Sequence, residues 1–225
     1  GFAFYNMEVA IRTMPDNAMS TGTKVSVTED VNVKVEDRIR LMSAVLAATD
    51  FPDKAQQKKP HGTHAHARAT RKYLAEHTAH PVVKATQALL DQGTPLEALF
   101  TLVMLMEWPD MTIGAMPRWV PAGYNVHLKD FAEQTRITSW WQAESNVWTK
   151  AEKEAANIFA DMHFKEFLKP FLGDVKDTFV FVPNISYPTD HEIGLKIGDT
   201  LYCIAPPPLA WGESPPWPYD EDPVK

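Results

Sequence analysis

The chain has one cysteine, Cys203, in 225 residues, which excludes an internal disulfide framework and a cysteine-based zinc site. Positive charge is in short supply. With 22 Lys and Arg against 29 Asp and Glu, the net charge is −7, and a nucleic-acid partner is not expected, because phosphate binding needs clustered cations. Long apolar runs are missing too. The best candidate, residues 96–106, is far shorter than the ~18 apolar residues of a membrane span and carries Glu97. There is no Gly-rich phosphate loop and no Gly-x-Ser-x-Gly elbow, and the scattered carboxylates single out no acid–base pair. Cys203 sits within Leu201-Tyr202-Cys203-Ile204 and reads as a buried, inert thiol.

What is present is an ordinary apolar fraction and enough length for a sizeable core. Residues 2–12 and 24–35 read as strands. In the second, Val25, Val27, Val31, Val33 and Val35 alternate with polar residues, and Glu29-Asp30 marks a turn or bulge. A helix from Asp37 places Ile39, Met42, Val45 and Leu46 on one face and ends near Asp50-Phe51-Pro52, with a polar linker over 53–62. A further helix covers 64–76. Pro81 disfavours helical geometry at His80, so a new helix starts at Pro81 and runs to Gln92, capped by Gly93. Thr94-Pro95-Leu96-Glu97 opens the next helix, apolar nearly all round and expected in the centre of the core.

Residues 109–123 read as irregular, and another helical block begins near His127. One long helix is expected over 139–162, with Trp141, Trp148, Ala151, Ala155, Ile158, Phe159 and Met162 inward. Phe164, Phe167, Leu168 and Phe171 extend that face to Gly173. Short strands follow at 178–182 and 200–205. The last 20 residues hold seven prolines without periodicity and read as an extended or disordered tail. The expected organisation is a single α+β domain over 1–205, mostly helical with a small sheet and a sub-boundary near 109–126. A Pro-rich acidic tail or linker follows over 206–225.

Five of the eight histidines, His61, His64, His66, His77 and His80, fall within 20 residues. A metal site using His61, His64 and His66 is one reading; surface and helix-capping roles are the simpler one, since no carboxylate or cysteine completes the set. Trp140, Trp141 and Trp148 either line an apolar pocket or form plain core. Pro206-Pro207-Pro208 and Pro215-Pro216-Trp217-Pro218 read as a spacer or as a polyproline ligand.

The order of segments carries a resemblance. Residues 31–46, with Arg38 and Leu41, resemble the strand and "R-x-E-L" helix that open a family of bacterial domains of unknown function. The segment from Tyr73-Leu74 to His80-Pro81-Val82-Val83 is similar to that family's aromatic and His-Pro-x-Val element. Gly93 to Met106 is similar to its Gly-led apolar helix, and Trp141 to Phe171 with Phe179 to Asn184 is similar to its Trp-rich helix and following strand. The likeness spans about residues 24–205. It implies the N-terminal portion of a gluzincin-type zinc metallopeptidase, a hydrolase in which a His-Glu-x-x-His helix follows. Two histidines four apart on one helix face share the metal, with the Glu as general base.

This chain departs twice. Arg40 stands where the family usually has Glu, and the nearest match to the motif, His191-Glu192-Ile193-Gly194-Leu195, lacks its second histidine. The expectation is therefore an upstream, substrate-side portion of such a peptidase, inactive by itself. Zinc enters only with a separate downstream catalytic segment, through truncation or cutting of the chain. The partner is a peptide or protein substrate. By analogy with zincins, residues 199–205 are expected as the edge strand that holds it, with Thr200, Leu201, Tyr202, Cys203 and Ile204 as substrate-binding residues. The alternative is a non-enzymatic binding or structural module that docks through its aromatic helices. Compartment stays open, cytoplasmic or exported after signal removal, because the chain begins with Gly1.

Overall fold

A computed structural model describes residues 26–27 (backbone only), 30–58, 60–186, 191–210 and 212–221. The strand expected over 2–12 lies outside them. Among the described residues the chain is α+β, with helices packed on a small mixed sheet. The sheet contains β1 (Ser26–Val27), β2 (Val31–Val33), β3 (Thr178–Pro183), β4 (Ile193–Ile197) and β5 (Thr200–Ala205). Its spatial order is β1-β2-β3-β5-β4. β2, β3 and β5 run parallel, while β1 and β4 are antiparallel to their neighbours and form the two edges. Between β4 and β5 the chain reverses over Gly198-Asp199, with Ile197 paired to Thr200. Gly198 sits at φ 55°, a conformation that suits glycine in a two-residue hairpin loop.

The helices are α1 (Asp37–Ala47), α2 (Phe51–Lys58), α3 (Ala65–Tyr73), α4 (Pro81–Asp91), α5 (Leu96–Met104), α6 (Tyr124–Gln134), α7 (Ile137–Ala143), α8 (Ser145–Phe159) and α9 (Phe164–Leu172). α1 and α5 are buried along nearly their whole length, as an all-round apolar pattern requires. They cover one sheet face through Val180, Val182, Ile193, Leu195 and Ile204. Arg38 locks them together: its Nη1 donates to the carbonyls of Met104 (2.8 Å) and Met106 (3.2 Å), which end α5, and its Nε donates to Glu36 (2.7 Å). A cation at a helix C-terminus satisfies carbonyls that have no intrahelical partner. The opposite face is covered by α8, with Val33, Trp148, Ala151, Ala155, Ala205 and Tyr219 buried together.

Several expectations are corrected in detail. The polar linker over 53–62 is largely helix, because α2 carries good helix formers and is tied down from outside. Lys54 reaches Asp91 at 2.9 Å, and Asp53 pairs with Arg71 at 2.7 Å. α5 begins one residue later than the Thr-Pro signal places it, with Pro95 as the cap and no side-chain capping bond.

The single helix over 139–162 is two. Glu144, at φ −94° and ψ 15°, separates α7 from α8, so Trp141 enters the first core and Trp148 the second. No glycine or proline stands at that break; it is set by the two cores. The apolar face of α9 is not buried either: Phe167, Phe171 and Leu172 are 66%, 74% and 68% exposed.

Candidate functional site

The expected edge strand is in the wrong place. β5 is hydrogen-bonded to β3 on one side and to β4 on the other. Thr200, Leu201, Tyr202, Cys203 and Ile204 therefore have their main-chain groups spent within the sheet and cannot pair with an added peptide strand. Pro206-Pro207-Pro208 reads locally as the end of an edge strand, but the β4–β5 hairpin folds back over that edge. The outer strand is β4. Its core-side residues Ile193 and Leu195 are buried against the α1–α5 side, and Gly194 and Lys196 are exposed. Lys196 pairs with Asp177 at 2.9 Å. Cys203 is half-buried, and burial pushes its thiol up to about 11, so it stays protonated at neutral pH.

The histidines do not converge. Among the described residues no group of three His, Cys, Asp or Glu side chains could share a metal ion. His64 and His80 serve instead as helix caps. His64 Nδ1 accepts the His66 backbone N–H at 3.1 Å at the start of α3, and His80 Nδ1 accepts that of Val82 at 3.3 Å at the start of α4. Accepting at Nδ1 places the ring proton on Nε2 in the neutral imidazole. Burial, aided by nearby His66, Arg68 and Lys150, lowers His64 to about 4, so it is neutral at pH 7. His61 holds its backbone loop to Gln56, accepting through its carbonyl at 2.9 Å.

Beside these caps lies an aromatic and cationic cluster. The Arg40 guanidinium is sandwiched between Trp141 (4.2 Å) and Trp148 (4.4 Å), and its Nη1 meets Asp37 at 3.0 Å. Its Nε and Nη2 are buried without a hydrogen-bond partner. Burial lowers Arg40 to about 10, which leaves it charged at neutral pH. A cation between two indole faces is attracted by both ring quadrupoles. His66 packs edge-on to Trp148 at 5.1 Å, with its Nδ1 3.4 Å from Glu144 and its Nε2 3.3 Å from the Thr70 hydroxyl. Burial lowers the His66 pKa against the opposing pull of Glu144. The arrangement splices the two cores; it presents no nucleophile and no open acid–base pair.

One open space lies just outside this cluster. A cleft of about 400 Å³ is lined by His64, by Asn146, Val147, Lys150 and Glu154 of α8, by Ile185, and by residues 207 and 216–219. Ile185 and Pro207 each lie two residues beyond the ends of β3 and β5, so the cleft sits at the carboxyl ends of parallel strands, where open α/β sheets commonly bind ligands.

The tail forms its far wall. It is extended and docked: the buried Tyr219 hydroxyl donates to Ala205 O (2.8 Å) and accepts from Asn184 N (2.9 Å). The Tyr219 amide donates to Glu154 (3.3 Å), and Asp220 accepts from Asn157 (2.7 Å). Gly62 lies so close to Ser214 that a Cβ there would collide with its backbone carbonyl. Sequence periodicity misses this wall because prolines have none. The signal that could have found it is the pair Trp217 and Tyr219, aromatic residues that a pure spacer does not need.

No protein-family model, no curated protein and no solved structure matches the chain.

Proposed function

We propose that the chain is the substrate-holding portion of a zinc-peptidase-like protein, binding an extended polypeptide along the outer edge of β4 and hydrolysing nothing by itself. The observation that carries this reading is the position of β4. It is antiparallel to β5 and is paired with β5 alone among the described residues. Ile193 and Leu195 anchor it in the core, so it is a fixed template. A peptide added there takes its affinity from main-chain hydrogen bonds and its selectivity from side chains on alternate faces. The exposed Gly194 leaves open space on one face, where an added Cβ would meet nothing within 4 Å. The described residues do not fit a zinc ion, so in this reading the metal and the general base belong to another segment.

Amide hydrogen exchange followed by NMR tests the reading, with tryptic peptides of casein as the probe. Binding should slow exchange at those β4 amides that point away from β5, and no peptide should be cut even with zinc added. Peptide binding that leaves β4 exchange unchanged overturns the reading, and so does cleavage by this chain alone.

A second reading, docking through an aromatic helix, draws on α9. Phe167 and Phe171 lie 6.0 Å apart on its exposed side, continued by Leu172 and by Met162 just before the helix. Exposed apolar rows of this kind mark interaction surfaces. Changing Phe167 and Phe171 to Ser should leave stability within about 0.5 kcal/mol if the row serves binding only. A substantial loss of stability would mean that the row is structural.

A further inference from the structure

We propose that the cleft between α8 and the 207–219 strap is a separate binding site for a small carboxylic acid with an apolar body. Its volume, about 400 Å³, is that of a small-molecule site. Its walls are fixed from every side. The strap is pinned by the Tyr219 hydroxyl at the strand ends, by Tyr219 N–H to Glu154 and by Asn157 to Asp220, and it is closed on itself by the bond from the Trp217 backbone N–H to Pro208 O at 2.8 Å. The loop carrying His64 is pressed against the strap at Gly62 and Ser214. A gap left by loose packing would not be framed by this many long-range bonds. Preformed walls also spare a ligand the cost of ordering them.

The chemistry of the lining selects the ligand. Val147, Ala151, Ile185 and the prolines make an apolar floor and rim. The polar groups that remain to be used are mainly donors. His64 has its Nδ1 committed to the His66 amide, which leaves Nε2–H as its free polar group. Lys150 is three-quarters exposed and held only loosely, 3.6 Å from Glu154. Glu154 is the one carboxylate in the lining, and it already accepts the Tyr219 amide. The first turn of α8 contributes the Asn146 side-chain amide, while the Val147 N–H is committed to the Glu144 carbonyl at 3.0 Å. A carboxylate answers these donors and an apolar body answers the floor, whereas a cation would have to displace Lys150 to reach Glu154, the one lining carboxylate.

The test uses 3-phenylpropionate as the probe and 3-phenylpropanamide as its uncharged counterpart, titrated into the full chain and followed by NMR. The acid should shift the amide signals of Asn146, Val147 and Lys150 and the indole signal of Trp217. The amide should bind about fivefold more weakly, the value of one solvent-exposed ion pair, and Lys150→Gln should weaken the acid by the same factor while leaving the amide unchanged. Val147→Phe, which fills the floor, should abolish binding of both. Equal binding of acid and amide overturns the choice of a carboxylate. Shifts confined to other regions, undiminished binding by Val147→Phe, or no shifts at low-millimolar probe overturns the site itself. Because Lys150 is exposed, Lys150→Gln folds as the parent does, and the outcome stays readable even if Val147→Phe is destabilised.

Discussion

The two faces of the sheet are built in different ways. On one, α1 and α5 bring an almost entirely apolar layer, with Leu41, Met42, Leu46, Leu99, Phe100 and Val103 fully buried. On the other, α8 offers Trp148 and a row of alanines, and the layer is completed by a proline-rich strap held by hydrogen bonds. The first face gains stability from buried area, which is non-directional and tolerant. The second depends on a few directional contacts, and its cleft opens beside the ends of β3 and β5. On the thin face the open space reaches the strand ends; on the thick face it lies at the periphery, a cleft of about 460 Å³ between the end of α1 and α3, lined by Ala48, Arg68, Arg71 and Leu74.

That contrast can be broken by experiment. The largest effect belongs to the thick face: Phe100→Ala, at a fully buried position of α5, should cost about 3–5 kcal/mol in denaturant unfolding. A cost below that range would mean that the α1–α5 layer relaxes around the loss. On the thin face, Tyr219→Phe should cost about 0.5–1.5 kcal/mol, the net value of a hydrogen bond, because the Asn184 N–H still donates to the Ala205 carbonyl (2.9 Å) once the hydroxyl is gone. It should also raise amide exchange in the strap while α1 and α5 stay protected, because the strap can open locally. Uniform loss of protection would show that both faces unfold as one unit.

The next effect is pH-dependent. His64 falls from 6.5 in the unfolded chain to about 4 in the fold, chiefly through burial. The unfolded chain therefore takes up this proton first as pH falls. The stabilisation is complete above about 6.5 and is lost progressively down to about 4, to the extent of about 1–2 kcal/mol once solvent contact is discounted. His64→Asn keeps a capping side chain and removes the titration, so this part of the acid sensitivity should flatten while stability at pH 7 changes little. The smallest effect is expected at the splice. Arg40→Met keeps volume between Trp141 and Trp148 but removes a buried charge with two unpartnered donors. Stability should change by less than about 1 kcal/mol, or rise, because desolvating a charge offsets much of what it gains. A large loss would show that the guanidinium itself joins the two faces.

Much of the helical layout was legible locally. His80-Pro81 ends one helix and starts the next, as Pro at the first helical position dictates, and the apolar pattern of 96–104 places α5 at the core centre. Pro81 puts His80 just outside a helix, as its cap, whereas His64, read as part of a helix over 64–76, caps one that runs only from Ala65 to Tyr73. The candidate sites were less legible. The histidine cluster invited a metal, yet two of its rings are turned to backbone amides. The row Phe164, Phe167, Leu168, Phe171 has the period of a buried helix, but Phe167 and Phe171 face solvent, since amphipathicity identifies a sticky face without naming what covers it.

By itself the sequence determined the α+β class, the starts of α1 and α4, that of α5 to within one residue, strands within 24–35 and at 178–182 and 200–205, and the absence of a zinc-binding helix motif. These rest on periodicity, capping and proline geometry, all of which act within a few residues. Only the tertiary structure decided that β5 is interior and β4 is the edge, that the helix over 139–162 breaks at Glu144, and that Tyr219 returns to seal the ends of β3 and β5. Each of these depends on a partner far along the chain: β3 for β5, two separate cores for Trp141 and Trp148, and Asn184 and Ala205 for Tyr219. Pairing at that distance is chosen by which surfaces must be buried together, and no local pattern records that choice.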